Sequence, residues 1–163
     1  MEFEVEHRFD RPVETVLRMF TDRSYFERKA PSTGSLDLRV LREERDDQRF
    51  EIEMSFRSSA DVQVPDFARK FMPGQHVRVV EVDSWHIGHR LGRIRIDLGG
   101  LPVKVGAEMK LEPTAAGAVN RLKWTVAVSV PLIGGKLERV IAEDLRGKME
   151  RDLQASRALL NEY

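Results

Sequence analysis

A chain of 163 residues is about the size at which one hydrophobic core can form, so we expect a single domain spanning residues 1–163. Lysine plus arginine and aspartate plus glutamate each number 27, so the formal net charge is zero and supplies no overall attraction to nucleic acid or to an anionic membrane. The absence of cysteine excludes a disulfide framework, a thiolate metal site and a cysteine nucleophile, and it fits a cytoplasmic location.

The first nine residues alternate between apolar and charged side chains, which is typical of a half-buried strand. Its inner face carries Phe3, Val5, His7 and Phe9. This pattern differs from the basic and then apolar start of a signal peptide. No stretch approaches the roughly 20 apolar residues that cross a bilayer, so we expect a soluble protein without stable membrane insertion.

Two short helices are predicted after this strand. Pro12 is typical of a helix start, and Val13, Val16 and Phe20 then share one face. A second helix is expected over residues 23–29, with Pro31 as its end.

Six further strands are indicated by alternating apolar residues over 36–40, 50–56, 76–87, 90–98, 103–111 and 119–130. The charged run over residues 42–49 suits a solvated hairpin tip. Residues 65–74 interrupt the strand pattern between two prolines, which favours a short helix or a lid-like loop that gates entry to a cavity.

Apolar residues then recur with a period near 3.6 from about residue 135 to 161. A helix of about 25 residues is roughly 37 Å long and can lie across a whole sheet. The order of elements therefore predicts an α+β fold: an antiparallel sheet of about seven strands packed on a long C-terminal helix, with two short helices after strand one.

This order of elements resembles the START and birch-pollen-allergen superfamily (SRPBCC), whose helix-grip fold wraps a curved sheet around a C-terminal helix. Two segments carry a narrower resemblance, VPDFARKF at residues 64–71 leading to Trp85, and VPLIGGKLE at 130–138 running into IAEDL at 141–145. They are similar to a bacterial branch catalogued as domain of unknown function 2505. The resemblance implies a fold and a cavity but no catalytic residues, and it leaves the ligand open because superfamily members bind lipids, sterols, polyketides or plant hormones.

Bulky and adaptable apolar side chains on the inner faces are the candidate lining of such a cavity, although the same pattern suits an ordinary filled core. The sequence alone leaves open whether the two tryptophans face the same side. With one inward histidine, the candidate ligand-binding residues are His7, Met54, Phe56, Phe67, Phe71, Trp85, Met109, Trp124, Ile141, Leu145 and Met149.

His7 can be interpreted in two ways. An imidazole in a cavity can act as an acid, a base or a hydrogen-bond donor. The alternative is a buried neutral histidine that bonds to a neighbouring polar group, and no partner for acid–base chemistry is evident in strand phase.

Metal and cofactor sites are not indicated, so we expect none. His76, His86 and His89 lie close in sequence, but His89 follows a glycine turn and the chain has no H-E-x-x-H helix. The arginines of the central strands are not interleaved with the aromatic residues of a nucleic-acid platform, and a solvated sheet face explains them better.

Binding or transport of a hydrophobic small molecule (a lipid, a sterol or a polyketide-like compound) is therefore the leading functional hypothesis. Two alternatives stay open: a cyclase or hydratase acting on an apolar substrate, and a protein-interaction module. The sequence gives no oligomeric state.

Overall fold

A computed structural model of the chain describes residues 1–71 and 74–163. Met72 and Pro73, within the predicted lid, lie outside the described residues. The elements in chain order are β1 (Glu2–Phe9), α1 (Val13–Phe20), α2 (Arg23–Thr33), β2 (Leu36–Arg45), β3 (Arg49–Ser58), α3 (Asp66–Arg69), β4 (Val77–His86), β5 (Leu91–Asp97), β6 (Val103–Thr114), β7 (Gly117–Val128) and α4 (Gly134–Leu160).

The seven strands form one sheet in the order β1-β7-β6-β5-β4-β3-β2, and every neighbouring pair is antiparallel. Strands β2 to β7 form a meander in which each strand pairs with the next, and the first strand, β1, pairs with the last, β7. This arrangement confirms the predicted α+β class with an antiparallel sheet and a long C-terminal helix.

One face of the sheet is the inner face, and the helices cover it. Along β7 the residues Asn120, Leu122, Trp124 and Val126 are buried, while the residues between them are exposed. This period of two is the alternation that the sequence predicted for a sheet with one wet side.

The two short helices after β1 pack on one end of the inner face through aromatic rings. Phe20 of α1 stacks on Trp85 of β4, with ring centroids 5.5 Å apart, and Phe26 of α2 stacks on Phe50 of β3 at 6.1 Å. These contacts hold the two helices on the sheet through a cluster of aromatic rings.

The predicted end of α2 at Pro31 is wrong, because the helix continues to Thr33. A proline loses the hydrogen bond of its missing N–H group and crowds the carbonyl four residues before it, but both effects fall on the preceding turn, so the two residues after Pro31 can continue the helix. The helix ends where Gly34 adopts a left-handed conformation (φ 76°), and the backbone N–H groups of Gly34 and Ser35 donate to the carbonyl of Ala30.

The predicted hairpin tip is shorter than the charged run indicated, because β2 extends to Arg45 and β3 starts at Arg49. The Asp46 carboxylate accepts hydrogen bonds from the backbone N–H groups of Gln48 (2.7 Å) and Arg49 (2.8 Å). These bonds close a tight turn and leave the flanking charged residues in strands.

Helix α4 lies against β7 and α2. Its buried residues include Leu137, Leu145 and Leu153, eight residues apart each time, as an amphipathic helix requires. Among the described residues, no helix combines the length and the apolar character needed to cross a membrane.

Candidate functional site

A cavity of about 250 Å³ lies inside the fold. Its walls come from the inner face of the sheet, from α2, from α4 and from the segment that links β3 to β4. The volume is near the lower end of the roughly 300–1,000 Å³ of ligand pockets, and it exceeds the roughly 150 Å³ of a cavity that holds benzene. The space therefore fits a compact apolar body larger than a single ring.

The structure brings ten of the eleven sequence-predicted residues to this cavity. They are His7, Met54, Phe56, Phe71, Trp85, Met109, Trp124, Ile141, Leu145 and Met149. Their role in binding a ligand stays a prediction.

Phe67 is the exception, because it does not line the cavity. The short helix α3 instead directs Ala68 inward, where it is buried. Successive helical residues point about 100° apart, so the neighbour of an inward Ala68 turns away from the cavity.

Trp85 and Trp124 face the same side, which the sequence left open. Trp85 lies flat over the backbone of Gly92, where an added Cβ atom would stand 2.9 Å from the indole ring. The Trp124 side chain is fully buried, and its Nε1 nitrogen has no hydrogen-bond partner among the described residues. Both rings belong to the cavity wall.

Two carboxyl groups on β4 also line the cavity, and the sequence analysis did not identify them. Glu81 and Asp83 share the inward phase of the buried residues Val79 and Trp85. Asp83 is 6 % exposed, and its Oδ1 oxygen has no hydrogen-bond partner among the described residues.

The strands on either side place apolar residues next to these carboxyl groups. Asp83 stands between Ile52 of β3 and Ile94 of β5. Glu81 stands in the same way between Met54 and Ile96. An apolar setting of this kind opposes ionisation of a carboxyl group.

An ion pair between two helices faces the same part of the cavity. The Lys29 Nζ atom of α2 lies 2.6 Å from the Asp152 Oδ1 atom of α4, and both residues line the cavity. The Lys29 ammonium also lies 4.7 Å from the centroid of the Tyr25 ring. Tyr25 in turn shares a 2.7 Å hydrogen bond with Ser156 of α4, so α2 and α4 are joined by a small polar network.

Burial sets the protonation of the two β4 carboxyl groups. It raises the pKa of Glu81 to about 6, even though Lys29 acts in the opposite direction. It raises the pKa of Asp83 well above the usual range, and the nearby Glu81 adds to that rise. For Lys29, burial alone lowers the pKa, but Asp152 and Tyr25 outweigh it, so the ammonium stays charged.

His7 lines the cavity from β1 and is 4 % exposed. Burial lowers the pKa of its imidazole, and the opposing effect of Asp152 does not overcome that. The ring is therefore neutral at pH 7, as the second interpretation of this residue requires, while the hydrogen bond to a polar group in that interpretation stays a prediction. Its neighbour across the sheet is Asn120, which is also buried.

The segment after β3 is fastened to α4 beside the cavity. The Asp144 carboxylate accepts a hydrogen bond from the backbone N–H of Asp61 at 2.6 Å, and Lys148 donates to the carbonyl of Ser59 at 2.9 Å. Arg151 pairs with the Asp61 carboxylate at 2.5 Å. Asp144 and Lys148 also pair with each other.

Two histidines lie side by side at the β4–β5 turn. The rings of His86 and His89 are adjacent, with centroids 4.3 Å apart. Within residues 1–71 and 74–163, no group of three or more histidine, aspartate or glutamate side chains is arranged to hold a metal ion.

A signal for the missed carboxyl groups was present in the sequence. In β4 the residues Val79, Glu81, Asp83 and Trp85 fall on one phase, and two acids on the phase of a buried tryptophan are unusual. Lys29 follows Tyr25 and Phe26 at helical spacing, and Asp152 follows Met149 in the same way. Which charged residues meet one another depends on how the two helices cross, and the sequence does not give that.

Comparison with known proteins connects this fold to a family. The family model described as "Protein of unknown function (DUF2505)" matches residues 4–160. No curated protein matches the chain.

Several solved structures are similar across nearly the whole chain. TTHA0849 from Thermus thermophilus aligns with a TM-score of 0.68 and 19 % identity, covering 99 % of this chain and 98 % of the other. The allergen Ara h 8.0201 aligns with a TM-score of 0.67 and 13 % identity, covering 100 % and 99 %. The ZhuI aromatase/cyclase from Streptomyces sp. R1128 aligns with a TM-score of 0.61 and 12 % identity, covering 99 % and 92 %.

At these identities the likeness shows the fold and not the function. The sheet order, the two helices after β1 and the long α4 are those of the helix-grip architecture. The chain therefore belongs to the family described as "Protein of unknown function (DUF2505)" and has the helix-grip fold of the START and birch-pollen-allergen superfamily.

Proposed function

We propose that this protein binds a hydrophobic small molecule, such as a lipid, a sterol or a polyketide-like compound, in the cavity between the sheet and α4. The observation that carries the proposal is the cavity of about 250 Å³ enclosed mainly by apolar side chains. Ten residues that the sequence indicated as a lining surround it. The similarity in fold to a protein named aromatase/cyclase adds support.

Hydrophobic burial supplies the affinity in this proposal. A ligand of aromatic size buries about 200 Å² of apolar surface, which contributes about 5 kcal/mol at roughly 25 cal/mol per Å². Part of this is offset by the entropy lost on binding. The polar groups of the lining then orient the ligand.

A pair of substitutions on β4 tests the proposal. Val79 is buried and lines the cavity, whereas Val82 belongs to the opposite face of the same strand. We expect Val79→Phe to fill the cavity and to weaken binding of the neutral fluorophore N-phenyl-1-naphthylamine by about tenfold or more, a cost of roughly 1.4 kcal/mol. Val82→Phe is the matched control and should bind like the unsubstituted protein in a fluorescence titration.

Equal binding by both variants would place the fluorophore elsewhere and remove the support for a cavity ligand. The thermal unfolding midpoint of each variant shows that it is folded.

A protein-interaction module is another alternative. It would be favoured if the protein bound no apolar probe at all.

Residues 65–74 are proposed to control ligand exchange, because Ala68 and Phe71 form part of the cavity wall. We expect Phe71→Ala to speed dissociation of the fluorophore, since it removes a large part of this wall. Phe67→Ala is the control, because Phe67 lies in the same segment and does not line the cavity. Stopped-flow displacement measures both rates, and equal rates for the two variants would exclude the gate.

A proton-transfer enzyme is the second candidate function, and one observation favours it. Glu81 borders the cavity with a pKa of about 6, which suits a group that accepts and donates protons near neutral pH. To test this candidate, any apolar compound that co-purifies with the protein is extracted, incubated with fresh protein and followed by mass spectrometry. Conversion by the unsubstituted protein that Glu81→Gln abolishes, with the compound still bound, would establish it, and an unchanged compound would not support it.

A further inference from the structure

The side chains that line the cavity include more acidic groups than lysines. Lys29 pairs with Asp152 across α2 and α4. Lys148 pairs with Asp144 along α4 at the edge of the cavity. Once these pairs are formed, the lining has two carboxyl groups left over, those of Glu81 and Asp83. Neither forms a salt bridge within the part of the chain that the structure describes.

One oxygen of this carboxyl pair is buried without a hydrogen-bond partner among the described residues. The Oδ1 oxygen of Asp83 is buried and has no partner among residues 1–71 and 74–163, although native proteins pair most buried polar atoms. Its strand neighbours are isoleucines, which offer no hydrogen bond. Glu81 and Asp83 both line the cavity, so a hydrogen-bond donor that enters the cavity can reach their carboxyl groups.

The groups that face this pair set its charge. Lys29 of α2 and Asp152 of α4 act on both carboxyl groups, and Tyr25 of α2 and His7 of β1 line the same cavity. Burial lowers the pKa of His7, so this residue supplies no second positive charge at pH 7. The pKa of Asp83 is raised by burial and by Glu81, so an incoming cation that stabilises the carboxylate form displaces a proton.

We infer that the ligand of this cavity is an apolar molecule with a protonated amine, and that the carboxyl groups of Glu81 and Asp83 bind the ammonium. The inference deepens the proposed function and rests on it, because the apolar body occupies the same cavity. A ligand with a carboxylate is disfavoured, since it would meet two acidic groups, and the described lysines of the lining are already paired with aspartates. A divalent metal is disfavoured too, because the described acidic residues do not converge on a metal-binding geometry.

Three probes with one apolar body test this inference. They are 2-(1-naphthyl)ethylamine, 2-(1-naphthyl)ethanol and 3-(1-naphthyl)propanoate, which share a naphthylethyl group and differ in the polar group attached to it. Isothermal titration calorimetry at pH 7.5, in two buffers of different ionisation enthalpy, gives the affinity and the number of protons released. We expect the amine to bind at least tenfold tighter than the alcohol and to release protons, and the carboxylate to bind most weakly.

The carboxyl pair is then altered without a change of shape. We expect Glu81→Gln/Asp83→Asn to reduce the preference for the amine over the alcohol to within about threefold and to abolish proton release, with alcohol binding retained. The single variants Glu81→Gln and Asp83→Asn give the same trend if the double variant does not fold. Glu108→Gln is the matched control, because Glu108 is exposed on the outer face of the sheet and does not line the cavity.

The outcomes separate this inference from the proposed function. Binding of the alcohol and the amine with equal affinity, or tightest binding of the carboxylate, overturns the amine inference and leaves a cavity for apolar ligands. Failure of all three probes, together with failure of the neutral fluorophore, overturns the proposed function itself. A preference for the amine that persists in the double variant also contradicts the role of the carboxyl pair.

Discussion

The two faces of the sheet carry the same residue types under opposite conditions. On the outer face, Arg42 of β2 forms salt bridges with three carboxylates, those of Glu44 (2.7 Å), Glu51 (2.5 Å) and Glu53 (3.5 Å). On the inner face, Glu81 and Asp83 of β4 stand among isoleucines and a methionine, and Lys29 is already paired with Asp152. Water solvates the outer charges and is largely excluded from the inner ones.

This difference shows that buried charges affect the stability of this protein much more than exposed charges do. An exposed ion pair contributes about 0–1 kcal/mol, so many arrangements of the outer charges are equally acceptable. A buried ionisable group costs several kcal/mol unless something compensates it. Burial of the inner carboxyl groups therefore lowers the stability of the fold. A positively charged ligand that pairs with them would offset this loss.

The largest effect is expected from removing the inner cation. Lys29→Met leaves three carboxyl groups facing the cavity without a positive charge, so we expect a loss of about 3 kcal/mol in the free energy of unfolding at pH 7. Lys29→Met/Asp152→Leu removes both partners and should recover much of that loss. Urea unfolding measures all three variants, and equal stability of Lys29→Met and the unsubstituted protein would show that the inner pair is as weak as an outer one.

A smaller effect, with a defined pH dependence, is expected from Glu81→Gln. The native pKa of Glu81 is raised from an ordinary value of 4.5 to about 6, so its proton binds more tightly in the folded protein. The carboxyl group therefore supports the fold fully below about pH 4.5, and this contribution is lost as the pH rises through 6.

Glu81→Gln should thus be more stable than the unsubstituted protein by about 2 kcal/mol at pH 8 and by little at pH 4. Urea unfolding at the two pH values measures the change. Glu108→Gln is the control, because Glu108 lies exposed on the outer face opposite Arg93. The same pH dependence in both variants would contradict the comparison of the two faces.

The smallest effect is expected from Arg42→Met on the outer face. This arginine contacts three carboxylates, but its side chain is 46 % exposed, and solvent replaces the lost pairs. We expect the free energy of unfolding to fall by less than about 1 kcal/mol, and less still in 0.5 M salt. A loss as large as that of Lys29→Met would show that exposure does not separate the two faces.

Much of the fold could be predicted from the sequence because the periodic patterns were strong. Alternation placed the ends of β1, β6 and β7 within three residues of the observed ones, and the period of 3.6 placed α4. The end of α2 was wrong because a proline disturbs the turn before it and still allows the residues after it to stay helical. A local rule fails where the tertiary contacts of the helix decide its length.

The apolar part of the site could also be predicted, since inward phase is a property of each strand and helix alone. The polar part could not, because Lys29, Glu81, Asp83 and Asp152 come from α2, β4 and α4, far apart in the sequence. Their meeting depends on the packing of α2 against α4 and of both on the sheet. Phe67 was misplaced for a related reason: the short helix α3 has too few residues to define a face.

Native mass spectrometry of the freshly purified protein, followed by solvent extraction of whatever is bound, tests the central claim most directly. We predict a bound apolar compound at a ratio of about one per chain, which is released on unfolding and is absent from Val79→Phe but present in Val82→Phe. A bare chain that also shows no thermal stabilisation by lipids, sterols, polycyclic aromatics or naphthyl amines would contradict the claim that the cavity is a ligand-binding site.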